Sequence, residues 1–328
     1  MREKIFLLIA LLLFLWSVPQ GYPQEKVRVG YGAISVQSGL VWIAKDKGLF
    51  AKYGLMPEIV YIPGGSTNVQ VLISGNLDYS QLSGAPGVAA NLAGADIVYI
   101  AGFGDRLNYQ LITRPEIKNL EQLKGKKLAV SRFASSADFG MRAILKRLGL
   151  DPVKDVTILQ VGDEPARLAA VKSGSVDGTV MNAPFGLEAQ RQNLYILADS
   201  LKMGIPFFNT GLLATRRYLD QNEAKTLNLM RAYIEAIKIF KTEREYSLKA
   251  LAQFTRVNNV TALEEGYEYF KNTVRDVPHP SLEGMQAVVA QMAETGAKAR
   301  QVDAAAFISD RYIKQLESDG FVKKVWGK

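Results

Sequence analysis

Hydrophobic residues recur along this chain in two alternating rhythms. KVRVGYGA (26–33) alternates with period two and is rich in Val and Tyr, so it predicts a strand. SGLVWIAKDKGLFAKYGL (38–55) has helical spacing and reaches Gly48 and Gly54, both placed as helix ends. MPEIVYIP then predicts a strand, GGSTNVQVLISG a helix, LDYSQLS a strand, APGVAANLAG a helix and DIVYIAGFG a strand. After the strand YQLITRPEI and the short helix NLEQLKG, the rhythm restarts. KKLAVS, DVTILQV, VDGTVM and LYILADS predict strands, separated by helices in SSADFGMRAILKRLGL, DEPARLAAVKSG and APFGLEAQRQ. Short strands alternating with helices imply mainly parallel sheets covered by helices. From Gln221 onward nearly every segment has helical spacing.

One unit is written twice. SGNLDYSQLSGAP (74–86) and SGSVDGTVMNAP (173–184) share Ser-Gly, an aspartate, an extended stretch and a small polar residue near proline. Gly75 and Gly174 are placed as left-handed helix ends, and Asp78 and Asp177 as turn residues bonding nearby backbone. Ser83 or Asn182 then caps a new helix just past the carboxyl end of a strand, where open α/β sheets hold ligands. Four further loops repeat this arrangement: AISVQSG (33–39), PGGST (63–67), SRFASS (131–136) and GDEP (162–165). Helix starts present free amides to anions.

Composition narrows the chemistry. The 328 residues contain no cysteine and one histidine, His279, so disulfides, thiol nucleophiles and multi-histidine metal sites fall away. No cofactor or metal is expected. The net charge of +8 is scattered, with short clusters only in LKGKKLA and VKKVWGK, and no aromatic-basic module for nucleic acid. Arg2 and Lys4 precede a 14-residue apolar run, Ile5 to Val18, shorter than the roughly 20 residues that span a bilayer. Residues 1–24 therefore read as a secretory signal peptide, although no Ala-x-Ala cleavage site is present and an uncleaved anchor is the alternative. Either way the body is expected outside the cytoplasm.

Several motifs carry a resemblance. The stretch from GLVWIAKDKGLF through DIVYIAG holds Ala44, Gly48, Phe50, Gly54, Leu55, Gly65, Ser66, Gly75, Asp78 and Gly84. With LEQLKGKKLAVSRFASSADFGMRAILKRLGL and RLAAVKSGSVDGTVMNAPF, it resembles the periplasmic solute-binding proteins of ABC importers, in the sulfonate, taurine, nitrate and thiamine-precursor branch. The resemblance spans roughly residues 26–320. It implies a two-lobed type II periplasmic-binding fold with a C-terminal helical annex. Lobe 1 is expected at 26–112 plus 215–328 and lobe 2 at 113–214, joined by crossing strands Tyr109–Thr113 and Asn209–Thr215. It further implies a monomer that delivers a small molecule to a permease and its ATPase in the inner membrane. Residues placed at the ligand are Ser35, Gln37, Ser38, Gly65, Ser66, Thr67, Ser83 and Gly84 from lobe 1. Arg132, Ser135, Ser136, Asn182 and Phe185 come from lobe 2, and Asn209 from the second crossing. Arg132 is the expected clamp for a sulfonate or carboxylate. Asp163 and Glu164 read as acids favouring a helix start, not as an acid–base pair. A thiamine-precursor enzyme of this superfamily uses a histidine; the body's early loops contain none. A ligand sensor for a signalling receptor is the other alternative.

Overall fold

Ten strands sort into two sheets in the computed structural model, which describes residues 24–182, 185–295 and 297–327. They are β1 (Glu25–Tyr31), β2 (Leu55–Tyr61), β3 (Tyr79–Leu82), β4 (Ile97–Arg106), β5 (Tyr109–Thr113), β6 (Lys127–Val130), β7 (Thr157–Gln160), β8 (Gly178–Asn182), β9 (Tyr195–Asp199) and β10 (Pro206–Thr215). The first sheet has the order β2-β1-β3-β10-β4 and the second β7-β6-β8-β5-β9. In each sheet four strands run one way and one is opposed, β10 in the first and β5 in the second. The expected mainly parallel, two-lobed α/β architecture is present. The expected leader at 1–24 lies outside the described residues, except for Gln24.

The crossings sit slightly earlier in the chain than the sequence suggests. Tyr109–Thr113 lies wholly in the second sheet and Asn209–Thr215 wholly in the first. The chain passes between sheets at Leu107–Asn108 and returns at 200–205. The two passages are tied together: Leu107 N–H donates to the Ile205 carbonyl at 3.0 Å, and Ser200 Oγ donates to the Leu107 carbonyl at 3.0 Å. Strand periodicity alone cannot show where a continuous extended run changes sheets.

The duplicated aspartate unit has a physical meaning that differs from its sequence reading. Gly75 and Gly174 have φ of +79° and +75°, the left-handed helix ends that Ser-Gly predicts. Asp78 and Asp177, however, bond backbone far upstream. Asp78 accepts from Arg28 N–H at 2.7 Å, and Asp177 from Lys127 N–H at 2.9 Å. Each aspartate thus ties the strand it precedes to that strand's parallel neighbour, β1 for Asp78 and β6 for Asp177, fifty residues back in both cases. Asp78 is also 2.8 Å from the Arg28 guanidinium, which raises the pKa of Arg28. Asp78→Ala leaves a part-buried amide and a guanidinium without their acceptor and is expected to cost about 2 kcal/mol in urea unfolding. A loss under about 0.5 kcal/mol would show the tie to be dispensable.

The C-terminal helices complete the first lobe. The 20-residue helix Glu223–Thr242 buries Leu227, Met230, Tyr233, Ile234, Ile237 and Phe240 against the helix Gly39–Asp46 and its neighbours. The expected helix over 38–55 is two pieces, Gly39–Asp46 and Leu49–Lys52, divided at Gly48 with φ +66°.

Candidate functional site

Three helices of the first lobe start beyond the carboxyl ends of strands without a side-chain cap on their first turns. They begin at Gly39, Gly65 and Gly84, and none has a side-chain cap or an acidic residue in its first turn. Their positive dipole ends are uncompensated. Packing holds them close together: a Cβ on Gly65 would come within 2.5 Å of Pro86 Cγ, so glycine is required there. The loop before Gly39 is pinned by Gln81, whose Nε2 donates to the Gln37 carbonyl at 2.8 Å and whose Oε1 accepts from the Tyr233 hydroxyl at 3.2 Å.

The second lobe is the opposite. Its helix Ser136–Arg147 is capped by Ser135 and carries Asp138 in the first turn. Its helix Glu164–Lys172 is capped by Asp163, which accepts from Ala166 N–H at 3.0 Å. Glu164 is not merely a helix-start acid. It is 5% exposed and accepts from Asn182 N–H at 3.0 Å. Burial raises its pKa, against the pull of Arg167 at 3.9 Å. Arg167 is 3% exposed. Its Nε donates to Thr179 Oγ1 at 3.0 Å, Nη1 to the Gly162 carbonyl at 2.8 Å and Nη2 to the Val180 carbonyl at 3.0 Å. The neighbouring Tyr109 hydroxyl is pushed up to about 12, by burial first and then by Glu164, so it stays a neutral donor.

The two walls enclose a cavity of about 50 Å³, room for a few waters or a compact head group. All six loops singled out in the sequence contribute to it, together with Tyr61, Gln81, Asn108, Tyr109, Arg167 and Thr210. The lobes touch at its rim. Ser83 Oγ and Ser136 Oγ are 2.6 Å apart, so Ser83 directs its hydroxyl across the cleft instead of capping its own helix. Farther out, Gln291 Nε2 donates to the Phe139 carbonyl at 3.0 Å and Asn259 Nδ2 to Glu188 at 3.2 Å. At the crossing, Asn209 Nδ2 donates to Asn108 Oδ1 at 2.9 Å. That bond fixes the Asn108 amide and leaves its Nδ2 buried without a partner; Asn182 Oδ1 is also buried and unpaired. Unpaired buried amide atoms are costly, and here both line the cavity.

The residues predicted from sequence divide cleanly. Ser35, Gln37, Ser38, Gly65, Ser83, Ser135, Ser136, Asn182 and Asn209 line the cavity. Ser66 and Thr67 are half-buried in the helix behind it. Gly84 packs against Phe208 and Met285, and Phe185 is buried in the core. Arg132 is exposed and lies beside Gly64 outside the cavity. The predicted Ala183-Pro184 helix entry lies outside the described residues. The buried charges Glu164 and Arg167 were missed as site residues, though their spacing from the core residue Val171 places all three on one buried helix face.

The NMT1-like family model matches residues 20–254. The chain belongs to the NMT1-like family. A protein of Escherichia coli (strain K12) whose name gives aliphatic sulfonates as its ligand is 30% identical to this NMT1-like chain over 263 residues, covering 77% of this chain and 79% of the relative. Two solved structures share the fold. The alkanesulfonate-binding protein SsuA from Xanthomonas axonopodis pv. citri, bound to MOPS, is 22% identical with a TM-score of 0.71, covering 87% of this chain and 98% of that one. The periplasmic nitrate-binding protein NrtA from Synechocystis PCC 6803 is 14% identical with a TM-score of 0.71, covering 90% of this chain and 89% of that one. This NMT1-like protein thus has the fold of periplasmic binding proteins, and these relatives are named for the solutes they bind, not for an enzymatic activity.

Proposed function

We propose that the protein captures a small organic anion, a sulfonate or carboxylate, between its lobes in the periplasm and hands it to an ABC permease of the inner membrane. The observation carrying this reading is the set of three helix starts without side-chain caps on one wall of a cavity that also holds the unpartnered donor Asn108 Nδ2. The anionic group sits on the first lobe, away from Glu164 and Asp163. Sulfonate and nitrate ligands of the relatives fit this polarity. Among the described residues no helix is long and apolar enough to cross a membrane. Thermal-shift measurements against alkanesulfonates, carboxylates, nitrate and neutral pyrimidines test the reading, since a ligand at about 100 times its Kd adds roughly 2.7 kcal/mol. An anion is expected to raise Tm; a shift from uncharged pyrimidines alone would overturn the anion assignment.

Glu164 sets a pH dependence. Its folded pKa is raised, so it takes up a proton as pH falls towards the ordinary glutamate range, and one negative charge leaves the cavity wall. Anion affinity is expected to rise by on the order of tenfold over that fall. Glu164→Gln should bind tightly at neutral pH with a flat profile, measured by titration calorimetry. An unchanged slope in the variant would remove Glu164 from the effect. Folding follows the same direction. The stabilisation is present below the ordinary glutamate value and is lost as pH rises through the raised one.

A further inference from the structure

The basic stretch VKKVWGK is not used by the ligand cavity. Its helix, Phe321–Trp326, packs on the long helix Glu223–Thr242 and places Phe321 6.1 Å from Tyr53. Between them runs a groove of about 480 Å³ whose wall carries Lys52, Arg231, Lys238 and Lys324 against a single carboxylate, Glu235. Glu235 is already spent: Lys52 Nζ is 2.7 Å from both of its oxygens. Lys238 donates to the Val325 carbonyl. Arg231 is half-buried, among the described residues bonds only the neutral Asn228 amide, and lies 5.9 Å over the Phe321 ring. Among the described residues neither Arg231 nor Lys324 has a carboxylate within ion-pair distance. A half-buried guanidinium without an anion favours an external one.

Two further observations say what that anion belongs to. Lys323 and Lys324 are exposed beside half-buried Phe321, Val322 and Trp326, and the Trp326 indole Nε1 is buried without a partner. Lysines interleaved with aromatic and aliphatic side chains suit the headgroup layer of a bilayer. The groove also adjoins the point where the chain enters the fold. Glu25 N–H donates to the Gly54 carbonyl at 2.8 Å, next to Tyr53, and Glu25 pairs with Lys225 at 3.1 Å. From Glu25, β1 runs seven residues to Tyr31, beyond which Gly32 and Ala33 line the ligand cavity. At about 3.3 Å per residue the two sites stand roughly 20 Å apart, so a surface resting on the groove leaves the cavity open.

We propose that this groove is a membrane-docking face that takes the phosphates of anionic lipid headgroups and holds the protein on the bilayer by the end of β1 remote from its ligand. The inference is independent of which solute the cavity takes. It is tested by cosedimentation of the isolated protein with vesicles of phosphatidylcholine alone and of phosphatidylcholine with about a third phosphatidylglycerol. Binding is expected to be stronger to the anionic vesicles and to fall away near 1 M salt, where the Debye length is about 3 Å. The double variant Arg231→Gln/Lys324→Gln removes two charges worth roughly fivefold each and is expected to weaken anionic binding about twenty-five-fold, with Tm and solute binding unchanged. Equal binding to both vesicles, or wild-type binding by the double variant, would overturn the proposal. So would a Tm increase with inorganic phosphate that requires Arg231 but no binding to anionic vesicles, which would make the groove a free-phosphate site.

Discussion

Arg167→Met is expected to destabilise the protein by roughly 3–5 kcal/mol. The side chain is 3% exposed and satisfies three acceptors, Thr179 Oγ1 and the carbonyls of Gly162 and Val180. Methionine fills much of the same space but donates nothing, so all three acceptors lose their donor. Glu164 also loses the one positive charge that offsets its burial. Its pKa then rises further, and the variant should recover stability as pH falls and Glu164 is neutralised. Adding Glu164→Gln should restore part of the loss at neutral pH, because the uncompensated charge is gone. Urea unfolding of the two single variants and the double variant at two pH values measures this coupling. Additive losses would show that the two groups do not interact. Arg132→Ala is the contrasting case. Exposed and outside the cavity, Arg132 should be replaceable within about 0.5 kcal/mol and with the ligand shift intact.

That contrast shows where sequence reasoning stops. The six loops were legible because each combines a strand's end with a small polar residue and a helix start, and all six do reach the cavity. Gly75 and Gly174 were legible because a left-handed helix end nearly requires glycine. Arg132 and Arg167 could not be ranked the same way. Both stand near helix starts at strand ends, but Arg132 lies in the loop before its helix, while Arg167 is on the helix face turned to the second sheet. For Arg167 the clue was present, since Glu164, Arg167 and Val171 share one helix face and Val171 is fully buried. The reach of Asp78 and Asp177 back to Arg28 and Lys127 was hidden for a different reason. Those bonds depend on strand register between segments fifty residues apart, which local turn preference does not encode. Ser83 shows the same limit. Its position is that of a cap, yet its partner is Ser136 in the other lobe.

The Ser83–Ser136 contact also allows the lobes to be locked. Their hydroxyl oxygens are 2.6 Å apart, and the chain has no cysteine of its own. Ser83→Cys/Ser136→Cys therefore offers a single possible disulfide. Oxidised without ligand, the variant is expected to stay shut and to lose solute uptake entirely; a reductant should restore it. Ligand present during oxidation should speed bond formation, because a solute touching both walls populates the closed form. Once formed around the ligand, the bond should trap it through prolonged dialysis. These three outcomes separate a closing cleft from a fixed pocket. A fixed pocket would exchange solute equally well in the oxidised and reduced states, and ligand would leave the oxidation rate unchanged. Finding that equality would remove lobe closure from the mechanism, while leaving the uncompensated helix starts at Gly39, Gly65 and Gly84 as the anion-binding wall.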